Sequence, residues 1–169
     1  MEIEEENKEF HRIMGEILTM ALAVESYLEF FIVNYFVKPQ TGKTHFLNDS
    51  IILKIGFDRK IQLFKDICKR EKFDKEVLEK VLEYINFVKD TRNKVAHWQG
   101  EKMFDKPIRL RKRTSFTTKD DILELNDSLS REMDENRLKA IKGIRDFYLK
   151  YSDEGTIDER PGNWDVIIK

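Results

Sequence analysis

Residues 5–37 read EENKEFHRIMGEILTMALAVESYLEFFIVNYFV, and this stretch decides the fold class. Its apolar side chains Phe10, Ile13, Ile17, Met20, Ala21, Val24, Tyr27, Leu28, Phe31 and Tyr35 recur at steps of three and four, which gathers them on one side of an α-helix. No proline interrupts the run, and Pro39 with Gly42 closes it. Its middle is apolar nearly all round, so this helix is expected to lie against several others.

The rest of the chain continues in the same manner. Residues 38–48 read as a loop, and 49–71 as a second helical region broken at Gly56, with Asp58 capping its second piece. Asp74 reads as the N-cap of a helix that turns Val77, Leu78, Val81, Leu82, Ile85 and Val88 inward. After Gly100 the character changes. Residues 102–119 hold seven basic side chains against one acid, a local charge of +6, and 108–116 alternate enough for a short strand. Asn126 or Asp127 then starts a last helix to Tyr151, with Leu129, Met133, Leu138, Ile141, Ile144, Tyr148 and Tyr151 inward. The expectation is an all-α antiparallel bundle of four to five helices with a small β-like insertion before the last. Residues 1–152 form one domain, and 153–169, with Gly155, Pro161 and Gly162, an irregular tail.

Bulk composition narrows the function classes. A chain of 169 residues, 40% hydrophobic and 37% charged, has enough apolar side chain for a core without disulfides or metals. The formal charge of −1 gives no overall attraction to polyanions, so affinity for nucleic acid must be local. Residues 1–6 are acidic where a signal peptide is basic, and the apolar stretch 30–36 is too short to span a bilayer. A cytoplasmic protein with no membrane association is expected. Three separated histidines and the single Cys68 give no metal-ligand spacing, and Cys68 falls in an apolar helical register. No cofactor is expected either: Gly42-Lys43-Thr44 lacks the upstream glycine and strand of a phosphate-binding loop.

The chemically suggestive segment is Arg92-Asn93-Lys94-Val95-Ala96-His97, near the end of the helix that Asp74 begins. Residues five apart on a helix diverge by about 140°, whereas Asn93 and His97 share a face. Arg92 therefore meets His97 only if the helix unwinds near Ala96, if the guanidinium reaches round, or if a second protomer completes the site. The side chains suit RNA cleavage. An imidazole changes charge near neutral pH and can take a proton from a ribose 2′-hydroxyl or give one to the leaving 5′-oxygen. A guanidinium fork fits the equatorial oxygens of a phosphorane and stays charged. Asn93 can hold one tautomer of His97 or bind phosphate.

This helix-borne R-N-x-x-x-H late in a small helical bundle resembles the HEPN superfamily (higher eukaryotes and prokaryotes nucleotide-binding domains). The resemblance spans roughly residues 5–151 in helix order, but its specific content is Arg92, Asn93 and His97. It implies an all-α, homodimeric, metal-independent endoribonuclease of toxin–antitoxin or other defence systems, with an antitoxin protein as a possible partner. Both protomers would contribute their motifs to a composite site. It also implies an acidic residue on an early helix facing the motif, for which Glu25 and Glu29 are the candidates. Some members carry, two positions after the His, a Tyr that a nucleotidyltransferase modifies; Gln99 stands there in this chain.

Plainer readings stand beside each of these. His97 can be a helix-end histidine packed beside Trp98, and Trp98 can close a core rather than stack on an RNA base. Arg109, Arg111 and Arg113 would share one face of an extended strand and follow a phosphate backbone. They equally suit a solvated edge guarded against aggregation. Lys94 is either a phosphate contact or solvent-facing helix. Two further functions follow: a non-catalytic module of this fold binding a partner protein or nucleic acid, and a structural bundle with Arg92 and His97 in a salt-linked core. Exposure of those two side chains separates the last from the others.

Overall fold

The computed structural model describes residues 2–37, 42–101, 109–111 and 122–151. Among these the helices are α1 (Glu2–Phe36), α2 (Gly42–Ser50), α3 (Phe57–Arg70), α4 (Lys75–His97) and α5 (Asp127–Tyr151). A 3-10 turn, Ile52–Lys54, precedes α3. Three short strands, β1 (Gln99–Glu101), β2 (Arg109–Arg111) and β3 (Ile122–Glu124), separate α4 from α5. They form an antiparallel sheet in the order β1-β2-β3, with Leu110 opposite both Gly100 and Leu123. The protein is thus a helical bundle with a small sheet before its last helix, as its sequence predicts.

Side-chain caps begin two of the five helices. Asp74 accepts the Val77 amide at 2.9 Å to begin α4, and Asn126 accepts the Leu129 amide at 2.9 Å to begin α5. At α3 the expectation fails: Gly56 is the N-cap, with no side-chain hydrogen bond, and Asp58 lies inside the first turn. There its charge faces the positive end of the helix dipole. A second difference is α2, which occupies much of the expected loop 38–48. Its sequence GKTHFLNDS carries no apolar stripe, and Phe46 is 68% exposed, so periodicity gives no helix signal there. Packing against α1 supplies what local pattern lacks.

Contacts along the helices fix their directions. Arg12 near the start of α1 meets Asp127 at the start of α5 at 2.6 Å, and Tyr35 meets Tyr151 at their ends with ring centroids 5.2 Å apart. On another side of α1, Phe31 meets Phe64 and Tyr35 donates to Glu71 at 2.5 Å. Burial and the neighbouring Glu71 carboxylate push the Tyr35 phenol up to about 12. Helices α1, α3 and α5 therefore point the same way. The antiparallel arrangement is built around α4, whose Lys89 reaches back to Asp58 at 2.8 Å and whose Tyr84 lies under Lys139 of α5.

The core runs the length of α1 through Ile13, Ile17, Val24, Leu28 and Ile32, faced by Phe64, Ile85, Val88, Met133 and Ile144. Cys68 is fully buried among them, and burial raises its thiol well above the ordinary range. Val77 and Leu138, expected inward, are about half exposed (49% and 50%). Small residues take the close contact instead: Ala140 is fully buried, and a Cβ built on Gly143 would stand 2.3 Å from a Val81 methyl. Gly143 is what lets α5 approach α4 this closely.

Gly143→Ala should therefore destabilise the protein by about 1–3 kcal/mol despite alanine's better helix propensity. Urea denaturation of the single variant and of Val81→Ala/Gly143→Ala checks this. The pair should lose less than the sum of the two single changes, because deleting the Val81 methyls vacates the space the new Cβ needs.

Candidate functional site

Helix α4 stays regular through His97. The Trp98 amide donates to the Lys94 carbonyl at 2.9 Å, and Trp98 then turns extended into β1. Unwinding near Ala96 is thus not how Arg92 could approach His97. Thr91 and Val95 are buried and hold this end of the helix to the bundle, while Arg92, Asn93 and Lys94 are half-buried and Ala96 and His97 exposed. The Arg92 guanidinium donates to the Asn93 side-chain oxygen at 3.0 Å. His97 makes no hydrogen bond or ion pair with a described residue, and neither it nor Arg92 is paired with a described carboxylate. A salt-linked core made of these two side chains is ruled out by that exposure.

Lys94 lies over the Trp98 ring at 5.5 Å from its centroid, and Trp98 is half-buried against the edge of the core. Both side chains therefore have a structural occupation at the helix end. In the basic stretch, Leu110 is buried, Arg111 is half-buried and Arg109 pairs across the strands with Glu124. Arg113, like Lys102, Lys106, Lys112 and Lys119, lies outside the described residues, as does the tail 153–169.

The two acidic candidates, Glu25 and Glu29, stand one turn apart on α1, and both hold one lysine. Lys60 Nζ donates to Glu25 at 2.6 Å and to Glu29 at 2.5 Å, with only 2% of Lys60 exposed. Burial works against the ammonium, but the hydrogen bonds and charges of the two carboxylates outweigh it and hold Lys60 above the usual lysine value. One ammonium between two carboxylates leaves a local charge of −1. The acids thus serve α3 and make no hydrogen bond or ion pair with Arg92 or His97. Sequence reading passed over Lys60, yet a signal was there: it sits in the stripe Phe57, Lys60, Ile61, Phe64, Ile67, Cys68, whose other members are all apolar.

This triad also sets what surrounds the motif. It places the first turn of α3 level with Glu25 and Glu29, and the Lys89–Asp58 ion pair places the same turn level with Lys89 of α4. Beyond Lys89, α4 runs on by eight residues, about 12 Å at the rise of an α-helix. Helix α3 does not accompany it. On α1 the continuation of the Glu29–Glu25 face is Leu22 and Leu18, and Leu22 is 60% exposed. Because α1 and α4 run in opposite directions, Leu22 is level with the turn that carries Arg92 and Asn93. The motif therefore opens onto a ledge that α3 leaves uncovered, with an apolar residue at its edge.

Among the described residues, no three or more His, Cys, Asp and Glu side chains gather as a metal site, and no helix is long and apolar enough to cross a membrane. Comparison with known proteins returned no matching family model, no matching curated protein and no matching solved structure.

Lys60→Met should cost about 3 kcal/mol at pH 7.5, since it leaves two partly buried carboxylates facing each other. The loss comes from like charges left facing each other, so Glu25→Gln and Glu29→Gln added to Lys60→Met should recover part of it. Urea denaturation of the single and triple variants measures it. A triple variant no more stable than Lys60→Met would contradict this account.

Proposed function

We propose that the protein is a metal-independent endoribonuclease of toxin or defence type, acting in the cytoplasm as a homodimer with a composite Arg92/His97 site. The observation that carries the reading is the end of α4 that runs past the start of α3, where His97 is exposed and Arg92 half-buried. Divergence of the two side chains on a regular helix favours a site shared across a two-fold axis, Arg92 from one chain and His97 from the other. Leu22, exposed at the edge of the same ledge, supplies apolar surface for that contact.

In this reading an imidazole removes the proton from a ribose 2′-hydroxyl, whose oxygen attacks the adjacent phosphorus. The P–O5′ bond breaks and the 5′-oxygen takes up a proton, leaving a 2′,3′-cyclic phosphate and a 5′-hydroxyl. Arg92 offsets charge on the equatorial oxygens, with Asn93 directing its guanidinium. Lys94, Trp98, Arg109, Arg111 and Arg113 would flank the RNA, and an antitoxin protein would restrain the toxin. Glu25 and Glu29 act through Lys60 by setting where α3 begins, rather than by touching the reacting atoms.

The second reading is a non-catalytic helical module that binds RNA or a partner protein at the same ledge. It is favoured by one feature: within a chain Arg92 is held by Asn93, and His97 has no orienting partner among the described residues.

Incubation of the purified protein with mixed RNA in EDTA separates the two. Cleavage with cyclic-phosphate ends is expected, and Arg92→Ala or His97→Ala should each reduce it by two or more orders of magnitude, the scale of about 3–4 kcal/mol for a preorganised contact. Retained binding without cleavage would select the second reading, and a requirement for added Mg²⁺ would reject the 2′-hydroxyl mechanism.

Two interface tests follow. Leu22→Glu should give a folded monomer by sedimentation and lose cleavage. Arg92→Ala and His97→Ala chains refolded together should regain part of the activity that each lacks alone. Mixed dimers with no recovery would leave the shared site without support.

A further inference from the structure

A second concave site lies away from the motif, between α1 and α2, in a cavity of about 460 Å³. Its wall includes Glu29, Asn34 and Asn48 with His45 at α2, and its apolar part is Phe30 and Val33. Among the described residues, no lysine or arginine lines it. The hydrogen bonds already made at its wall decide what it offers a ligand. Asn34 gives one amide N–H to the Phe30 carbonyl at 2.7 Å, and Asn48 gives one to Asp49 at 3.2 Å. Each amide keeps its oxygen as an acceptor, beside its second N–H. Glu29 gives Oε1 to Lys60, while its Oε2 takes no hydrogen bond from a described residue. The charge behind this wall is negative, because Lys60 balances only one of the two carboxylates it joins.

We propose that this cavity is a binding site for an organic cation, an alkylammonium or guanidinium group on an apolar stem. Three acceptor oxygens, from Glu29, Asn34 and Asn48, suit a head group that only donates, and charge-assisted hydrogen bonds to the carboxylate supply much of the affinity. Phe30 and Val33 take the methylenes, in the manner of a snorkelling lysine. Phosphate-bearing ligands are disfavoured by the Glu29 carboxylate in the wall and the net negative triad behind it. The volume lies within the usual range for small-ligand pockets, about 300–1,000 Å³. Lysine or arginine side chains of a partner protein and free amines share this chemistry. The inference is independent of the ribonuclease reading, since it uses neither Arg92 nor His97.

The test is a titration of the full chain, followed by ¹H–¹⁵N NMR. The probes are agmatine and butane-1,4-diamine, Nα-acetyl-lysine and Nα-acetyl-arginine methylamides, and butane-1,4-diol as the uncharged control. Saturable shifts at the amides of residues 26–34 and 44–48 are expected for cationic probes and not for the diol. Saturation by the free amines assigns a small-molecule ligand; saturation by the blocked amino acids alone assigns a partner's side chain. Glu29→Gln should weaken binding about tenfold by removing the charge. Asn48→Leu, which leaves Lys60 and both its carboxylates intact, should weaken it severalfold, so the outcome does not hang on one variant's folding. No saturation by about 10 mM, equal binding of the diol, or indifference of both variants would overturn the proposal.

Discussion

A buried ammonium must be partnered, and Lys60 is the point at which that requirement shapes this molecule. An unpaired ammonium in the interior is costly enough that the side chain would rather leave the core or lose its proton. Here it is caught between Glu25 and Glu29, each keeping an edge in water. That arrangement leaves α3 little freedom to slide along α1. Its far end is held as well, by Tyr35 donating to Glu71. The two anchor points lie ten residues apart on α1 and eleven apart from Lys60 of α3 to Glu71 at its C-cap, nearly the same length, so the pair packs side by side. The ledge beside Arg92 and His97 is thus a consequence of where one lysine is neutralised.

The connection between α4 and α5 carries a related message. Because these helices are antiparallel, the end of α4 and the start of α5 lie at the same end of the bundle, and a short turn would join them. The chain instead spends residues 98–126 there, with three strands inside that span. Connections much longer than topology needs are more often functional than architectural. This one follows the motif directly and carries the basic stretch. Leu110, fully buried, and Leu125 tie it to the core.

The fold was legible where a side chain's local pattern and its tertiary role agree. The apolar steps of α1, the Asp74 cap of α4 and the start of α5 at Asn126 all belong to that class. Helix α2 was not legible, because nothing in Gly42–Ser50 repeats at helical spacing and its support comes from α1. Leu138 and Val77 misled because a stripe of the right spacing says which residues lie near one face, not which of them the neighbour covers. Of the candidate site, the position of Arg92, Asn93 and His97 at a helix end was readable. The work of Glu25 and Glu29 was not, since it depends on Lys60, whose place in an apolar stripe looks in sequence like an interruption. The α1–α2 cavity was out of reach for the same reason as α2 itself.

Charge separation along α1 gives these features a common logic. The net charge of −1 means that the molecule as a whole steers nothing, so any selection of ligands rests on local fields within about a Debye length, near 10 Å at moderate salt. At the end where α4 stops, Arg92 and Lys94 are followed by the +6 stretch, with no described carboxylate holding Arg92. Further along α1 the sign reverses: Glu29 faces the cavity, the triad behind it is negative, and no lysine or arginine among the described residues lines the wall. Lys60 marks the border between the two. On the readings proposed above, a polyanion would be drawn to the ledge and a cation to the cavity, each by its local field. Both sites follow from the way α1 changes neighbours as α3 begins.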